Sequence, residues 1–264
     1  NFLSDKKVDL ILRFSATQDL NSASANVKLI NARTGTTTSE RSYVLNDKKR
    51  YPFLAHKIVS EANDQIGAPS IKWMEQSVLF ARYTEAKKSE IVLSDYTLTY
   101  QKVMVTGGLN IFPKWGNEEQ NIFYYTSYNG AEPAVYKYDL KDGSRRSIIS
   151  SSGMVVCSDV SKDGKKLLLT MAPKDQTDIY LYDLQTKKIQ KITEYSGIDV
   201  NGNFIDNDQR IVFVSDRLGY ANVFAQGIND KNVEQMVYHG KNNNSASAYD
   251  NYIVYSSRED KSEF

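Results

Sequence analysis

Residues 215–224 read Ser-Asp-Arg-Leu-Gly-Tyr-Ala-Asn-Val-Phe, with turn chemistry at Asp216 and Gly219 ahead of an apolar pair. A similar passage, SYNGAEPAVY at 127–136, starts 88 positions earlier, which is twice 44. Fixed landmarks decide whether 44 is a period. Ile91, Val135, Ile179 and Val223 open the runs IVLSD, VYKYD, IYLYD and VFAQG, at successive differences of 44, 44 and 44. Asp95, Asp139, Asp183 and Gly227 close those runs with the same spacing. Val78, Ile122, Leu167 and Ile211 open a second run at differences of 44, 45 and 44, and Ile148, Ile192 and Met236 end a third at 44 and 44. The period is real.

A repeat of that length, built from short β-runs, is the mark of a propeller blade. Helical repeats of similar length need a 3.6-residue apolar rhythm, which these runs lack. VYKYD and IYLYD alternate as pleated strands do. DLKDG at 139–143 and DLQTK at 183–187 then serve as hairpin turns from third to fourth strand, and KDGK at 162–165 as the turn from first to second. SDRLGYANVF becomes the connection from second to third strand. Each blade is too thin to bury its own faces and has to stack on its neighbours.

Residues 71–108 supply three strand-like runs but no counterpart of NIFPKWGNE, MVVCSDVSKDG or IDVNGNFIDND, which open the later copies. Their innermost strand is expected from elsewhere, as a closing strand of far C-terminal sequence. Residues 110–153, 154–197 and 198–241 form three complete copies, and Phe264 falls inside a further one. An open ring would expose strand edges, so the natural protein is expected to continue past Phe264.

Ahead of the repeat, VDLILRFS (8–15), VKLI (27–30) and SERSYVL (39–45) are rich in β-formers, with Asn31 and Gly35 as turn residues between the last two. In YPFLAHKIVSEANDQIGAP (51–69), Tyr51, Leu54, Ala55, Ile58, Val59, Ala62 and Ile66 recur at helical spacing. Pro52 suits the first turn, and Gly67 and Pro69 end the helix. The fold class expected is an α+β N-terminal domain, partial, of three strands and one helix over residues 1–69, followed by an all-β propeller over 70–264. His56 is expected to be a partly covered surface histidine, because no further ligand-type residue follows it at metal spacing.

The 264 residues hold 33 Lys and Arg against 32 Asp and Glu, a net charge of +1, which recommends neither nucleic acid nor an anionic membrane as partner. Basic pairs such as Arg145-Arg146 and Lys187-Lys188 lie beside turn signals and read as solvated turn charge. No stretch has the length of a membrane span, and NFLSDKKVD lacks the layout of a signal peptide. Cys157, the single cysteine, excludes an internal disulfide and leaves the redox compartment open.

The small α+β unit followed by copies written SDRLGYANVFAQ, TDIYLYDLQTKKIQKIT and SKDGKKLLL resembles the TolB family, the periplasmic component of the Tol-Pal system. VDLILRFS, the strand pair and the helix are similar to the second part of the family's N-terminal domain, and SIKWMEQSVLFAR to its passage into the propeller. The resemblance implies six blades, of which about four and a half stand here. It implies a non-enzymatic, monomeric adaptor without cofactor or metal, located in the periplasm. That adaptor binds the peptidoglycan-associated lipoprotein Pal over one face of the propeller, and TolA through a segment preceding residue 1. Both contacts support outer-membrane integrity and constriction at cell division. By repeat register, the Pal-contacting loops that lead into the innermost strands fall at Asn110 and Phe112, at Met154, Val155 and Cys157, and at Asp199, Val200 and Asn201. Where some relatives carry a polar HNGA-like sequence, Met154-Val-Val-Cys157 makes the expected contact more apolar, although Met154, Val155 and Val156 equally suit packing between blades.

The alternative is the propeller part of a prolyl-oligopeptidase-like serine peptidase. That enzyme needs a G-x-S-x-G nucleophile turn, which the chain does not contain, and His56 and His239 lie in the helix and after a blade's last strand. DVNGNFIDND (199–208) is oxygen-rich but lacks the residue order of a calcium loop, so turn chemistry is the expectation. A carbohydrate site built on the 18 tyrosines is disfavoured, since Tyr136, Tyr138, Tyr180 and Tyr182 fall on blade strands and read as packing.

Overall fold

The computed structural model describes residues 8–259; residues 1–7, which include most of the stretch lacking signal-peptide layout, and residues 260–264 lie outside them. The chain divides into two compact units, Asn1–Val78 with Leu93–Lys102, and Leu79–Val92 with Val103–Phe264.

In the first unit, β1 (Leu10–Gln18), β2 (Ala23–Asn31) and β3 (Thr37–Leu45) form an antiparallel sheet in chain order. The β2–β3 turn is held by Asn31, whose Oδ1 accepts from the amides of Arg33 (2.9 Å) and Thr34 (3.1 Å). Ala25, Val27 and Leu29 are buried on one face of β2, the period of a half-covered strand. Helix α1 (Tyr51–Gln65) carries Pro52 in its first turn and gives way at Gly67, whose φ of +65° a side chain would resist.

The face that α1 buries differs from the apolar spacing. Pro52, His56 and Ser60 are buried, while Tyr51, Ala55, Val59 and Ile66 are exposed. The helix is gripped from two sides. Ile58, Glu61 and Ala62 face Val27, Leu29, Arg41 and Tyr43 across a small gap. On its other side the His56 ring lies 4.5 Å from that of Tyr96, with Nε2 4.0 Å from the Asp95 carboxylate. His56 is therefore a buried residue, not a surface one. Burial pushes the Asp95 carboxyl up, but bonds from the Thr97 hydroxyl and the amides of Tyr100 and Thr97, with the nearby His56, leave it below its ordinary value. Glu61 accepts from Arg41 Nη1 (2.5 Å) and Tyr43 Oη (2.6 Å). Burial raises the Glu61 carboxyl and these two bonds more than offset it. The Tyr43 phenol, desolvated and bonded to that carboxylate, is pushed up to about 12.

The repeat becomes a succession of antiparallel sheets. β4 (Ser77–Glu85), β5 (Lys88–Asp95) and β6 (Gln101–Val105) form a three-stranded one. Three four-stranded sheets follow, each in chain order: β7 (Asn110–Trp115), β8 (Ile122–Ser127), β9 (Ala134–Asp139) and β10 (Arg145–Ser150); β11 (Val155–Val160), β12 (Lys166–Met171), β13 (Asp178–Asp183) and β14 (Ile189–Lys191); β15 (Asp199–Ile205), β16 (Arg210–Ser215), β17 (Asn222–Gly227) and β18 (Val233–Gln235). A hairpin of β19 (Asn243–Tyr249) and β20 (Tyr252–Ser257) begins another. The connection of SDRLGYANVF thus joins the second strand, ending at Ser215, to the third, starting at Asn222.

The aspartates that mark the period close the third strands because they build the next turn. Asp183 Oδ1 accepts from the amides of Gln185 (2.9 Å) and Thr186 (2.7 Å), and Asp139 Oδ1 from that of Lys141 (3.0 Å). Bonds from the Thr186 amide hold the Asp183 carboxyl below its ordinary value.

Second strands are apolar without alternation because both faces of a sheet are covered. Leu167 and Leu169 pack with Tyr124 and Val135 of the preceding sheet, while Leu168 packs with Phe204, Ile211 and Phe213 of the following one. The tyrosines behave as packing residues: Tyr138 stacks on Phe123 at 4.8 Å and Tyr136 on Tyr125 at 5.6 Å. The innermost strands β7, β11, β15 and β19 neighbour one another in that order, so the sheets succeed each other face to face as blades do.

Candidate functional site

Asn110, Val155, Asp199 and Asn243 are equivalent first residues of the innermost strands, 45, 44 and 44 positions apart. The expectation that the partner-contacting residues lie in loops is corrected here. Asn110 pairs with Ser127, Val155 with Met171 and Asp199 with Ser215, so pairing to the second strand starts at once and only Met154 precedes its strand. Asn110, Val155, Cys157 and Asp199 are buried; Met154, Val200 and Asn201 are half-buried; Phe112 is 50% exposed.

Each buried residue has a local task. Asn110 Nδ2 donates to the Gly107 carbonyl at 2.8 Å, and its amide N–H to Ser89 Oγ at 2.9 Å. Asp199, fully buried, receives Arg217 Nη2 at 3.1 and 3.2 Å. That guanidinium also lies 4.9 to 5.2 Å from the rings of Phe224, Phe213 and Tyr195, and its Nε donates to Ser215 Oγ at 2.9 Å. Cys157 packs among Val155, Leu167 and Leu169, and burial, then the charge of Asp159, pushes its thiol well up.

The surface is made by a kink. In β7 the pairing register slips between Ile111 and Lys114, in β15 between Val200 and Asn203, and in β19 between Asn244 and Ser247. At each slip one residue adopts left-handed backbone: Phe112 (φ +54°), Asn201 (φ +57°) and Ser245 (φ +53°). Asparagine tolerates that region, whereas an aromatic residue is strained there. Phe112 is thereby turned out of the sheet and half exposed. β11 departs from the pattern, with its slip one residue later, between Cys157 and Asp159.

Asp159, which the sequence pattern did not single out, ties three innermost strands together. Its Oδ1 lies 3.3 Å from Lys114 Nζ in β7, and its Oδ2 accepts from the Phe204 amide of β15 at 2.8 Å. A carboxylate inside a β-rich run, between Cys157 and Val160 and four residues beyond Val155, was the available signal.

In the oxygen-rich stretch 199–208, the side chains already have partners. Asp208 Oδ2 accepts from the Lys162 amide at 2.9 Å, Asn207 Oδ1 from Lys162 Nζ at 3.0 Å, and Asp206 pairs with Arg210 at 3.3 Å. Among the described residues, no three His, Cys, Asp or Glu side chains are grouped to hold a metal ion. His239 shares a bond of 2.8 Å with Tyr255 Oη and belongs to the second unit, whereas His56 belongs to the first. No helix among the described residues is long and apolar enough to cross a membrane.

Comparison with known proteins agrees with this architecture. The model of the TolB beta propeller domain matches residues 71–264. The Tol-Pal system protein TolB of Wolinella succinogenes is 50% identical over 261 residues, covering 98% of this chain and 62% of that protein. Its counterpart in Campylobacter jejuni subsp. jejuni is 53% identical over 250 residues, covering 94% of this chain and 62% of the relative. The chain thus spans 62% of the length of both curated relatives. A crystal structure of TolB from Acinetobacter baumannii shares the fold with a TM-score of 0.80 at 19% identity, covering 98% of this chain and 66% of that one. By a family match that takes in every sheet of the 44-residue repeat, the chain belongs to the TolB family.

Proposed function

We propose that this chain is the central part of a non-enzymatic periplasmic adaptor of the Tol-Pal system, docking the peptidoglycan-associated lipoprotein Pal on the kinked ends of its innermost strands. TolA is engaged by a segment outside the chain, and the two contacts together support outer-membrane integrity and constriction during cell division. Residues 1–69 contribute part of an α+β N-terminal domain, and residues 70–264 about four and a half of six blades. The relatives at 50% and 53% identity are named as Tol-Pal system proteins, which supports the adaptor over the peptidase alternative.

Phe112 carries the reading at the level of residues. It is an aromatic side chain held half exposed at a left-handed position, strain that packing does not repay. Aromatic anchors of this kind dominate protein interfaces. Met154, Val200 and Asn201 supply the surrounding contact, whereas Asn110, Val155, Cys157 and Asp199 set the strand ends from beneath.

The test is calorimetric titration of the full-length protein with the soluble domain of the Pal-type lipoprotein from the same source. One-to-one binding, weakened about tenfold or more by Phe112→Gly with no fall in melting temperature, supports the assignment. Absence of binding by the folded full-length protein overturns the adaptor reading, and binding indifferent to Phe112→Gly overturns the placement of the interface.

A further inference from the structure

A second feature of the repeat lies among the turns that join first to second and third to fourth strands, at the other end of the strands from the starts of the innermost ones. There a cleft of about 470 Å³ is lined by residues of two successive sheets, among them Lys137, Arg146, Lys162 and Lys187, with Tyr124 and Gly116. Its volume falls in the range of small-molecule sites.

The cations of this cleft are only partly used by the fold: Lys187 Nζ lies 6.0 Å from the centre of the Tyr182 ring, and Lys137 adds, after the bonds from Ser144, to the lowering of the Asp142 carboxyl. Lys137 and Arg146 are direct cross-strand partners on β9 and β10, a like-charge pair that costs sheet stability. Lys137 is half-buried, which adds desolvation to that cost. Lys187 comes from the β13–β14 turn of the next sheet, at a left-handed backbone position (φ +62°). Among the described residues, none of Lys137, Arg146 and Lys187 lies within ion-pair distance of a carboxylate, although Glu118, Glu119 and Asp163 also line the cleft, the Asp163 carboxylate 3.7 Å from Lys165 Nζ. Asp163 is committed to Ser161 Oγ (2.7 Å) and the Lys165 amide (3.0 Å). Glu118 and Glu119 are exposed on the β7–β8 turn, inward of the cationic pair in the sheet order.

We propose that this cleft binds a compact polyanion, a molecule with at least two phosphate or carboxylate groups, through Lys137, Arg146 and Lys187. Glu118 and Glu119 disfavour an extended polyanion that would run past the cations, and the net charge of +1 offers no wider basic track for one. The anion would neutralise a like-charge pair that the sheet otherwise holds at a cost. This site shares no residue with the proposed Pal surface, so its success or failure is independent of that reading.

Titration calorimetry of the full-length protein with sodium pyrophosphate, and separately with citrate, tests the proposal. Saturable one-to-one binding of at least one probe is expected, and the stronger of the two identifies phosphate or carboxylate as the group preferred. Lys137→Gln and Arg146→Gln should each weaken it about tenfold or more, the range of a charge-assisted hydrogen bond. Raising the salt from about 20 to about 200 mM should weaken it as well. Arg146→Gln, an exposed position relieved of a like-charged neighbour, should melt no lower than the parent and so guards against a folding artefact. No saturable binding of either probe, or binding that Arg146→Gln leaves unchanged, would overturn the assignment.

Discussion

Removing the Arg217 guanidinium should destabilise the repeat far more than a residue in a connecting turn ordinarily would. Arg217→Ala leaves Asp199 fully buried, at the start of β15, without the two contacts of 3.1 and 3.2 Å that compensate its charge. Breaking a buried pair from one side costs about 3–5 kcal/mol, because the remaining charge is stranded. The lost contacts with Phe213, Phe224 and Tyr195 act in the same direction. At about 2–4 °C per kcal/mol for a domain of this size, the melting temperature should fall by about 6–20 °C. The assay is urea denaturation followed by far-ultraviolet circular dichroism, with the slope m checked for constancy. Asp199→Asn combined with Arg217→Ala should recover much of the loss, since an amide has no charge to strand. A single variant that loses less than about 1 kcal/mol, or a double variant no more stable than the single, would refute the reasoning.

Other outcomes follow from the same structure. Phe112→Gly should be more stable than Phe112→Ala by about 1 kcal/mol, because only glycine is at ease at φ +54°; equal stability in denaturation would show that the position is unstrained. The Cys157 thiol should resist a thiol-reactive disulfide reagent in the native protein and react at the rate of unfolding, since burial both shields it and disfavours its thiolate. Glu61 sits below its ordinary value of 4.5, so its contribution is present above that value and lost as pH falls through the depressed one. The stability gap between the parent and Glu61→Gln should therefore close in acid. Tyr43 moves the other way: stability is intact below 10.0 and is lost as pH rises from there towards about 12, a loss that Tyr43→Phe should blunt. Leu168→Ala, at a fully buried position between two sheets, should cost about 2–5 kcal/mol by denaturation.

The repeat was legible because its landmarks are local: an aspartate that closes a strand also builds the following turn, and this prints a period on the chain. What covers a residue is not local. The spacing of α1 pointed to Tyr51, Val59 and Ile66, yet the helix is gripped on a second side by residues some forty positions further on, which buries His56 instead. Register set the segments beginning at Asn110, Met154 and Asp199 side by side but mistook strand starts for loops: the strands begin at Asn110, Val155 and Asp199, and a bulge leaves no composition signal when its left-handed residue is phenylalanine. Arg146 and Lys187 looked like solvated turn charge because each sits beside a turn; only the hairpin register sets Arg146 against Lys137, and only the stacking of sheets adds Lys187.

The bonds between successive sheets have a consequence for how such a gene can change. Thr126 Oγ1 donates to the Val155 carbonyl at 3.0 Å, and Thr170, the same position one repeat on, accepts from the Asn201 amide at 3.1 Å. At the next interval stands Val214, and Asn203 Nδ2 reaches across to the Ala246 carbonyl at 3.0 Å instead. Each junction is thus written half in one copy and half in the next. Unequal crossing-over or gene conversion that transplants a single copy replaces half of each flanking junction, and a copy carrying Val214 in place of the threonine brings no hydroxyl to its junction. The copies can therefore diverge in spelling, and even by one residue in length as between Asn110 and Val155, for as long as each continues to fit the one that follows.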